Sequence, residues 1–157
     1  APFMIRYPRG LGEGLPWRGL PFETLPVGRG RRLREGRDVA LVTVGTVGNA
    51  AARAAEHAAA QGVEAAHYDL RWVKPLDTEL LDEVGRTFRR VITVEDGCLR
   101  GGVGEAVAAY FNARGYDAHV TCLGIGDAWV EHGTPEQLHA LCGYDEESIF
   151  RALTQPV

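Results

Sequence analysis

From Asp38 onward, short apolar runs alternate with segments of helical periodicity, and residues that start or stop helices mark the changes between them. Val39–Val44 is an apolar run, short enough for a buried strand. Asn49 is placed to cap a helix over Ala50–Gln61, with Gly62 ending it. Val63–Leu70 reads as the next strand. Asp77 is placed to cap a helix over Thr78–Thr87, where Leu80, Leu81 and Val84 form an apolar stripe. Arg90–Val94 is a further strand, followed by a glycine-rich turn and a helix over Val103–Arg114 that Gly115 stops. His119–Gly124 is again strand-like. Thr134-Pro135-Glu136-Gln137 has the form of a capping box with proline at the first helical position, and Asp145 opens a last helix reaching about Leu153.

This rhythm predicts an α/β fold, a three-layer α/β/α sandwich around a mostly parallel five-stranded sheet. Val39–Val44, Val91–Val94 and His119–Gly124 are expected to be central strands. Leu25–Arg34, rich in arginine and glycine, is expected at an edge. The short turn at Glu35-Gly36 leads it to its neighbour and requires antiparallel pairing there.

Ahead of this unit, residues 1–24 carry Pro8, Pro16 and Pro21 with Gly10, Gly12, Gly14 and Gly19, the composition of an extended linker. Within it, Met4–Gly10 reads M-I-R-Y-P-R-G, two arginines around a Tyr-Pro step. Residue 1 is Ala, and the apolar opening begins three residues later. The chain is therefore expected to be the C-terminal piece of a larger protein, with residues 1–24 ending the preceding domain and 25–157 forming a domain of their own.

At 157 residues, 45% hydrophobic and 24% charged, the chain has the composition of a globular domain. The net charge of −4 conceals a split. Residues 1–37 hold eight arginines against three acids, whereas residues 38–157 hold nine basic residues against eighteen acids. A basic opening segment attracts phosphorylated metabolites or nucleic acid, but the acidic remainder and the lack of an aromatic-studded basic module argue against a nucleic-acid partner. No apolar run approaches the ~20 residues of a membrane span, and no signal peptide is read at the start. Cys98, Cys122 and Cys142 are odd in number and widely spaced, which predicts buried free thiols in a reducing cytosol.

Four motifs invite a chemical reading. Gly45-Thr46-Val47-Gly48-Asn49 joins a strand to a helix, where a phosphate could sit, but lacks the lysine of a P-loop. Gly101-Gly102-Val103-Gly104 is read as close packing. Glu95-Asp96 ends a strand at the sheet edge where α/β proteins place chemistry, yet adjacent carboxylates diverge; capping the glycine turn or lining a subunit interface is the expected role. His132 has no nucleophile in a recognisable context, and the other histidines lack metal-ligand spacing. No catalytic residue, cofactor ligand or metal ligand is assigned.

R-Y-P-R-G at 6–10, L-P-V-G-R-G at 25–30, D-L-R-W-V-K-P-L-D at 69–77, V-I-T-V-E-D-G at 91–97, G-G-V-G-E-A at 101–106 and E-H-G-T-P-E-Q-L at 131–138 occur in one order along the chain. In that order the chain resembles the C-terminal, transketolase-type domain of the 1-deoxy-D-xylulose-5-phosphate synthase family, preceded by the last strand of its pyrimidine-binding domain. The middle motifs also fit transketolase or a 2-oxo acid dehydrogenase beta subunit; R-Y-P-R-G, W-V-K-P-L-D and E-H-G-T-P together select the synthase.

The resemblance implies a cytoplasmic bacterial enzyme, a homodimer dependent on thiamine diphosphate and Mg2+. It joins pyruvate to D-glyceraldehyde 3-phosphate with loss of CO2, toward isoprenoids and thiamine. In that family the cofactor and metal are held by domains absent here, so the fragment is expected to bind none and to be inactive alone. One residue role carries over: Arg9, the second arginine of R-Y-P-R, is implied to hold the substrate phosphate, a task that suits a guanidinium fork. The reading of another class is an autonomous module holding a phosphate or nucleotide at Gly45–Asn49.

Overall fold

The computed structural model describes residues 2–8, 12 and 18–155. Among the described residues, five strands and five helices follow one another as β1 (Arg31–Arg34), β2 (Val39–Val44), α1 (Val47–Ala59), β3 (Ala65–Asp69), α2 (Thr78–Thr87), β4 (Arg90–Cys98), α3 (Val103–Arg114), β5 (His119–Ile125), α4 (Pro135–Leu141) and α5 (Glu146–Thr154). The described residues ahead of residue 25 form neither helix nor strand, as their proline and glycine content requires.

The strands make a single sheet in the order β1-β3-β2-β4-β5, parallel throughout except for β1, which runs antiparallel to β3. Alternation along β2 shows why helices cover both faces. Val39 and Leu41 join one core with α1 and α5, while Ala40 and Val42 join the opposite core with α2 and α3. The alanines of α1, Ala51, Ala54, Ala55 and Ala58, are buried and bring that helix close to the sheet. The three-layer α/β/α sandwich is thus as the sequence predicts.

Two helices have the bounds read from sequence because local chemistry sets them. Asp77 accepts from the Leu80 amide at 3.1 Å to cap α2, and Gly115, with φ 69°, ends α3 in the left-handed region. Helix α1 starts earlier than expected, at Val47, so Asn49 lies within it and caps nothing; Thr46 is the N-cap, without a side-chain bond.

Three expectations about the sheet are corrected. His119–Gly124 is no central strand: β5 forms the edge opposite β1, with most of its residues half-exposed. Only Arg31–Arg34 of Leu25–Arg34 is strand, since a turn closed by the Arg29 amide on the Pro26 carbonyl interrupts the segment. The neighbour of β1 is β3, not the β2 to which the Glu35-Gly36 turn leads. The chain crosses the entry of β3 instead, donating from the Arg37 and Asp38 amides to the Glu64 carbonyl, both at 3.0 Å, while Asp38 accepts from the Glu64 amide at 2.7 Å. A Cβ at Gly36 would lie 2.1 Å from the Ala66 nitrogen, so only glycine permits that crossing.

At the other end of the sheet, Arg90 at the start of β4 donates to the carbonyls of Ala152, Leu153 and Gln155, closing the C-terminal end of α5 with a cation.

Candidate functional site

The carboxyl ends of β3, β4 and β5, with the loops that leave them, bring the sequence motifs together. Glu95 and Asp96 stand at the centre of this edge and diverge as adjacent strand residues must. Glu95 is buried, and its two oxygens accept from the Val103 amide at 3.0 Å and the Gly104 amide at 2.8 Å. A carboxylate facing the open amides of a helix start complements the helix dipole, so Glu95 is the cap that Gly102 cannot supply. The expected role of capping the glycine turn is observed.

Asp96 points the other way. Its Oδ1 accepts from the Tyr144 hydroxyl at 3.0 Å, and its Oδ2 lies 3.9 Å from Nη2 of Arg6. Tyr144 is buried and held by the way α4 ends. Gly143, with φ 75°, donates to the Ala140 carbonyl at 3.2 Å, and Tyr144 donates its amide to the His139 carbonyl at 3.0 Å. This Schellman turn also stacks the His139 and Tyr144 rings with centroids 4.8 Å apart. Burial first, and the Asp96 carboxylate second, raise the hydroxyl pKa well above the usual phenol range, so Tyr144 stays a donor.

The glycines of G-G-V-G are accounted for by contact. A Cβ on Gly104 would lie 2.5 Å from Oγ1 of Thr93 and 2.8 Å from Sγ of Cys122, so α3 begins directly on the sheet. In the Gly45–Asn49 turn, Gly45 has φ 80°, and a Cβ on Gly48 would lie 3.2 Å from Oγ1 of Thr43. That hydroxyl is 2.9 Å from Nε2 of His67 in a buried pair beneath α1. Burial lowers the His67 pKa to about 4, with Asp69 opposing and Arg31 assisting.

Two further motifs meet on the side of β3. Asp77 caps α2 and also accepts from the Gly30 amide at 2.9 Å, while Arg29 pairs with Glu79. L-P-V-G-R-G is therefore seated on W-V-K-P-L-D. In that loop Arg71 adopts φ 55°, with its amide donating to Oδ1 of Asp69 at 3.1 Å. Trp72 meets Phe3 edge-on, with ring centroids 5.4 Å apart. Residues 2–8 thus reach the carboxyl edge at two points, Trp72 and Asp96.

His132 is exposed between β5 and α4, and among the described residues no hydrogen bond ties it to a nucleophile. Arg9 lies outside the described residues. The cysteines are less sheltered than expected: Cys98, at the end of β4, is exposed, and Cys122 on the edge strand β5 and Cys142 at the end of α4 are half-buried. Arg6 and Tyr144 are the partners that sequence reasoning missed. Only Gly143, a helix-ending glycine before an aromatic, signals that Tyr144 is fixed.

Among the described residues no helix is long and apolar enough to cross a membrane. The family model described as transketolase, C-terminal domain, matches residues 28–149. The 1-deoxy-D-xylulose-5-phosphate synthase of Bacteroides fragilis is 48% identical over 155 residues, which is 98% of this chain and 24% of that protein. The synthase of Rippkaea orientalis is 40% identical over 154 residues, covering 98% of this chain and 24% of that protein. Among solved structures, a split-gene transketolase, an inactive beta4 tetramer, superposes with a TM-score of 0.76 at 34% identity, covering 82% of this chain and 42% of that one. The chain spans about a quarter of the length of the curated relatives it matches.

Proposed function

Since the chain belongs to the transketolase C-terminal domain family, we propose that it is the C-terminal domain of a thiamine-diphosphate-dependent 1-deoxy-D-xylulose-5-phosphate synthase. The whole enzyme is a bacterial, cytoplasmic transferase that condenses pyruvate with D-glyceraldehyde 3-phosphate, releasing CO2, for isoprenoid and thiamine biosynthesis. The observation that carries this reading is identity of 48% across 98% of the chain to a synthase. Residues 1–24 end the preceding domain and its linker, and 25–157 form the C-terminal domain, a division that the match to residues 28–149 supports.

Within such an enzyme the chain's own share is structural and electrostatic. Its carboxylates at the sheet edge are already engaged: Glu95 by helix amides, Asp96 by Tyr144 and Arg6, Asp77 by the cap of α2 and Gly30. These residues do not fit a magnesium diphosphate, which needs several free oxygens converging on the cation. The cofactor and Mg2+ are accordingly assigned to the remaining domains of the same polypeptide, and the fragment alone is inactive. Arg9 contributes a guanidinium to the acceptor phosphate. The domain also supports a homodimer; the split-gene transketolase relative likewise assembles from several copies of one chain.

The test is acceptor-dependent CO2 release. The full-length protein given pyruvate should release CO2 and form 1-deoxy-D-xylulose 5-phosphate on addition of D-glyceraldehyde 3-phosphate. Use of a ketose phosphate in place of pyruvate would instead assign it to transketolase proper.

A further inference from the structure

We infer that residues 126–141, the loop after β5 together with helix α4, form a docking surface for the part of the same polypeptide that precedes this chain in the full-length protein. The inference rests on the reading of the chain as a C-terminal domain given under Proposed function. Residues 126–137 are exposed without a break, and no residue of α4 is buried. Trp129 is 102% exposed and Leu141 70%, and Val130 is exposed as well. Single exposed apolar side chains are ordinary, but a helix without a buried face is not. At seven residues α4 is too short to hold by propensity alone, so its stability has to come from packing.

The segment is nonetheless built. Asp127 pairs with Arg100 from the loop before α3 at 2.8 Å, and the Ala128 amide donates to the Gly126 carbonyl at 2.8 Å. Thr134 and Gln137 complete a reciprocal capping box, with bonds of 3.0 and 3.3 Å. At the other end the Tyr144 amide closes on the His139 carbonyl at 3.0 Å. Local bonds thus fix where Trp129 and Leu141 stand, and leave their apolar surface in water. Removing an indole and a leucine side chain from water is the gain that a partner supplies.

The place of the surface in the fold selects its occupant. The loop leaves the carboxyl end of β5, and the same ends of the strands carry residues 2–8, through Arg6 at Asp96 and Phe3 at Trp72. The other end of the chain lies at the amino ends of the strands, where Arg90 at the start of β4 holds the Gln155 carbonyl. Polypeptide ahead of residue 2 therefore departs on the side of Trp129, and polypeptide after residue 155 does not. The chain spans about a quarter of its relatives' length, which leaves a large body of polypeptide for that side. A second copy fits less well. Residues 126–141 carry Asp127, Glu131 and Glu136 and neither lysine nor arginine, and a two-fold contact would set these carboxylates against their own counterparts. The occupant is accordingly an apolar cleft with cations at its rim.

The test is hydroxyl-radical footprinting of the full-length protein, read by mass spectrometry. Trp129 and Leu141 should oxidise about ten-fold more slowly than in the urea-unfolded protein, as side chains in a desolvated pocket do. Rates equal to those of the unfolded protein would overturn the inference. Carbodiimide cross-linking of protein mixed from isotope-labelled and unlabelled subunits identifies the occupant. Glu131 or Glu136 should couple to lysines ahead of this chain, within one label. Links to residues 126–141 of a second copy, links that join the two labels, or no link from either glutamate to the preceding part would overturn the inference. Trp129→Asp, at a fully exposed position, should leave the circular dichroism of the full-length protein unchanged and return Leu141 to the unfolded oxidation rate. Continued protection of Leu141 in that variant would also overturn it. Protection and links that hold in a protein without acceptor-dependent CO2 release would remove the synthase reading and leave the docking surface in place.

Discussion

Oε1 of Glu95 lies 2.8 Å from the Gly104 amide, while Oε2 accepts from Val103 one residue earlier, so a single strand carboxylate closes the start of α3. Charge-assisted bonds from a buried side chain to helix-end amides are worth about 1.5–3 kcal/mol. Glu95→Ala should therefore destabilise the chain by about 2–3 kcal/mol, and Glu95→Gln, which retains one acceptor oxygen, by less. Urea titration followed by circular dichroism measures both; equal and negligible effects would show that α3 is capped by solvent.

The buried Thr43–His67 pair makes stability depend on pH. The folded His67 pKa is depressed from the ordinary 6.5 to about 4, so below pH 6.5 the unfolded chain takes up a proton that the folded chain refuses. The contribution is fully present above pH 6.5 and is lost as pH falls toward 4, to a limit of about 3 kcal/mol. Unfolding free energies between pH 4.5 and 7.5 should slope upward in the native chain and flatten in His67→Gln. A slope that persists in the variant would place its origin elsewhere.

Gly104→Ala tests whether the G-G-V-G turn is close packing. The added methyl group meets Thr93 and Cys122 under 3 Å, an overpacking that costs about 1–3 kcal/mol. Gly126→Ala adds its methyl where no atom lies within 4 Å, and should stay within about 0.5 kcal/mol of the native chain. Equal thermal midpoints for the two variants would contradict the packing account.

The isolated chain should not bind thiamine diphosphate, with or without Mg2+, because its sheet-edge carboxylates are engaged internally. Calorimetric titration decides this, and saturable micromolar binding would refute it.

Arg9→Ala in the full-length enzyme should raise the KM for D-glyceraldehyde 3-phosphate by one to two decades and spare pyruvate. A charged hydrogen bond of about 1.5–3 kcal/mol corresponds to that range. If ground state and transition state lose it equally, turnover at saturation survives. Equal damage to both substrates would mark Arg9 as structural.

Helices α2 and α3 were legible to the residue because aspartate and glycine act on their own neighbours: Asp77 caps three residues on, and Gly115 turns the chain where it stands. Strand order was less legible. The run His119–Gly124 carries Val120, Cys122 and Leu123, enough apolar residues to read as a buried strand, and nothing within it records its place in the strand order. A short turn at Glu35-Gly36 ordinarily joins paired strands, but here it carries the chain across β3, a strand that begins some thirty residues later. The site divides in the same way. For Glu95-Asp96 the sequence left two roles open, capping the glycine turn or lining a subunit interface; the Val103 and Gly104 amides give Glu95 the first, whereas the Asp96–Tyr144 bond joins residues 48 apart and depends on how α4 ends.

The crossing at Gly36 also separates β1 from its strand partner along the chain. Arg31 pairs with Asp69, 38 residues further along, so β1 has no strand partner until β3 is in place. The seat of β1 is the outer edge of a sheet whose parallel core is complete without it. A pull on the segment ahead of Gly30 is borne first by the β1–β3 ladder and by the bonds of Arg29 and Gly30 to Glu79 and Asp77. The link between this domain and any chain before it thus behaves as a releasable seam, separate from the body of the fold.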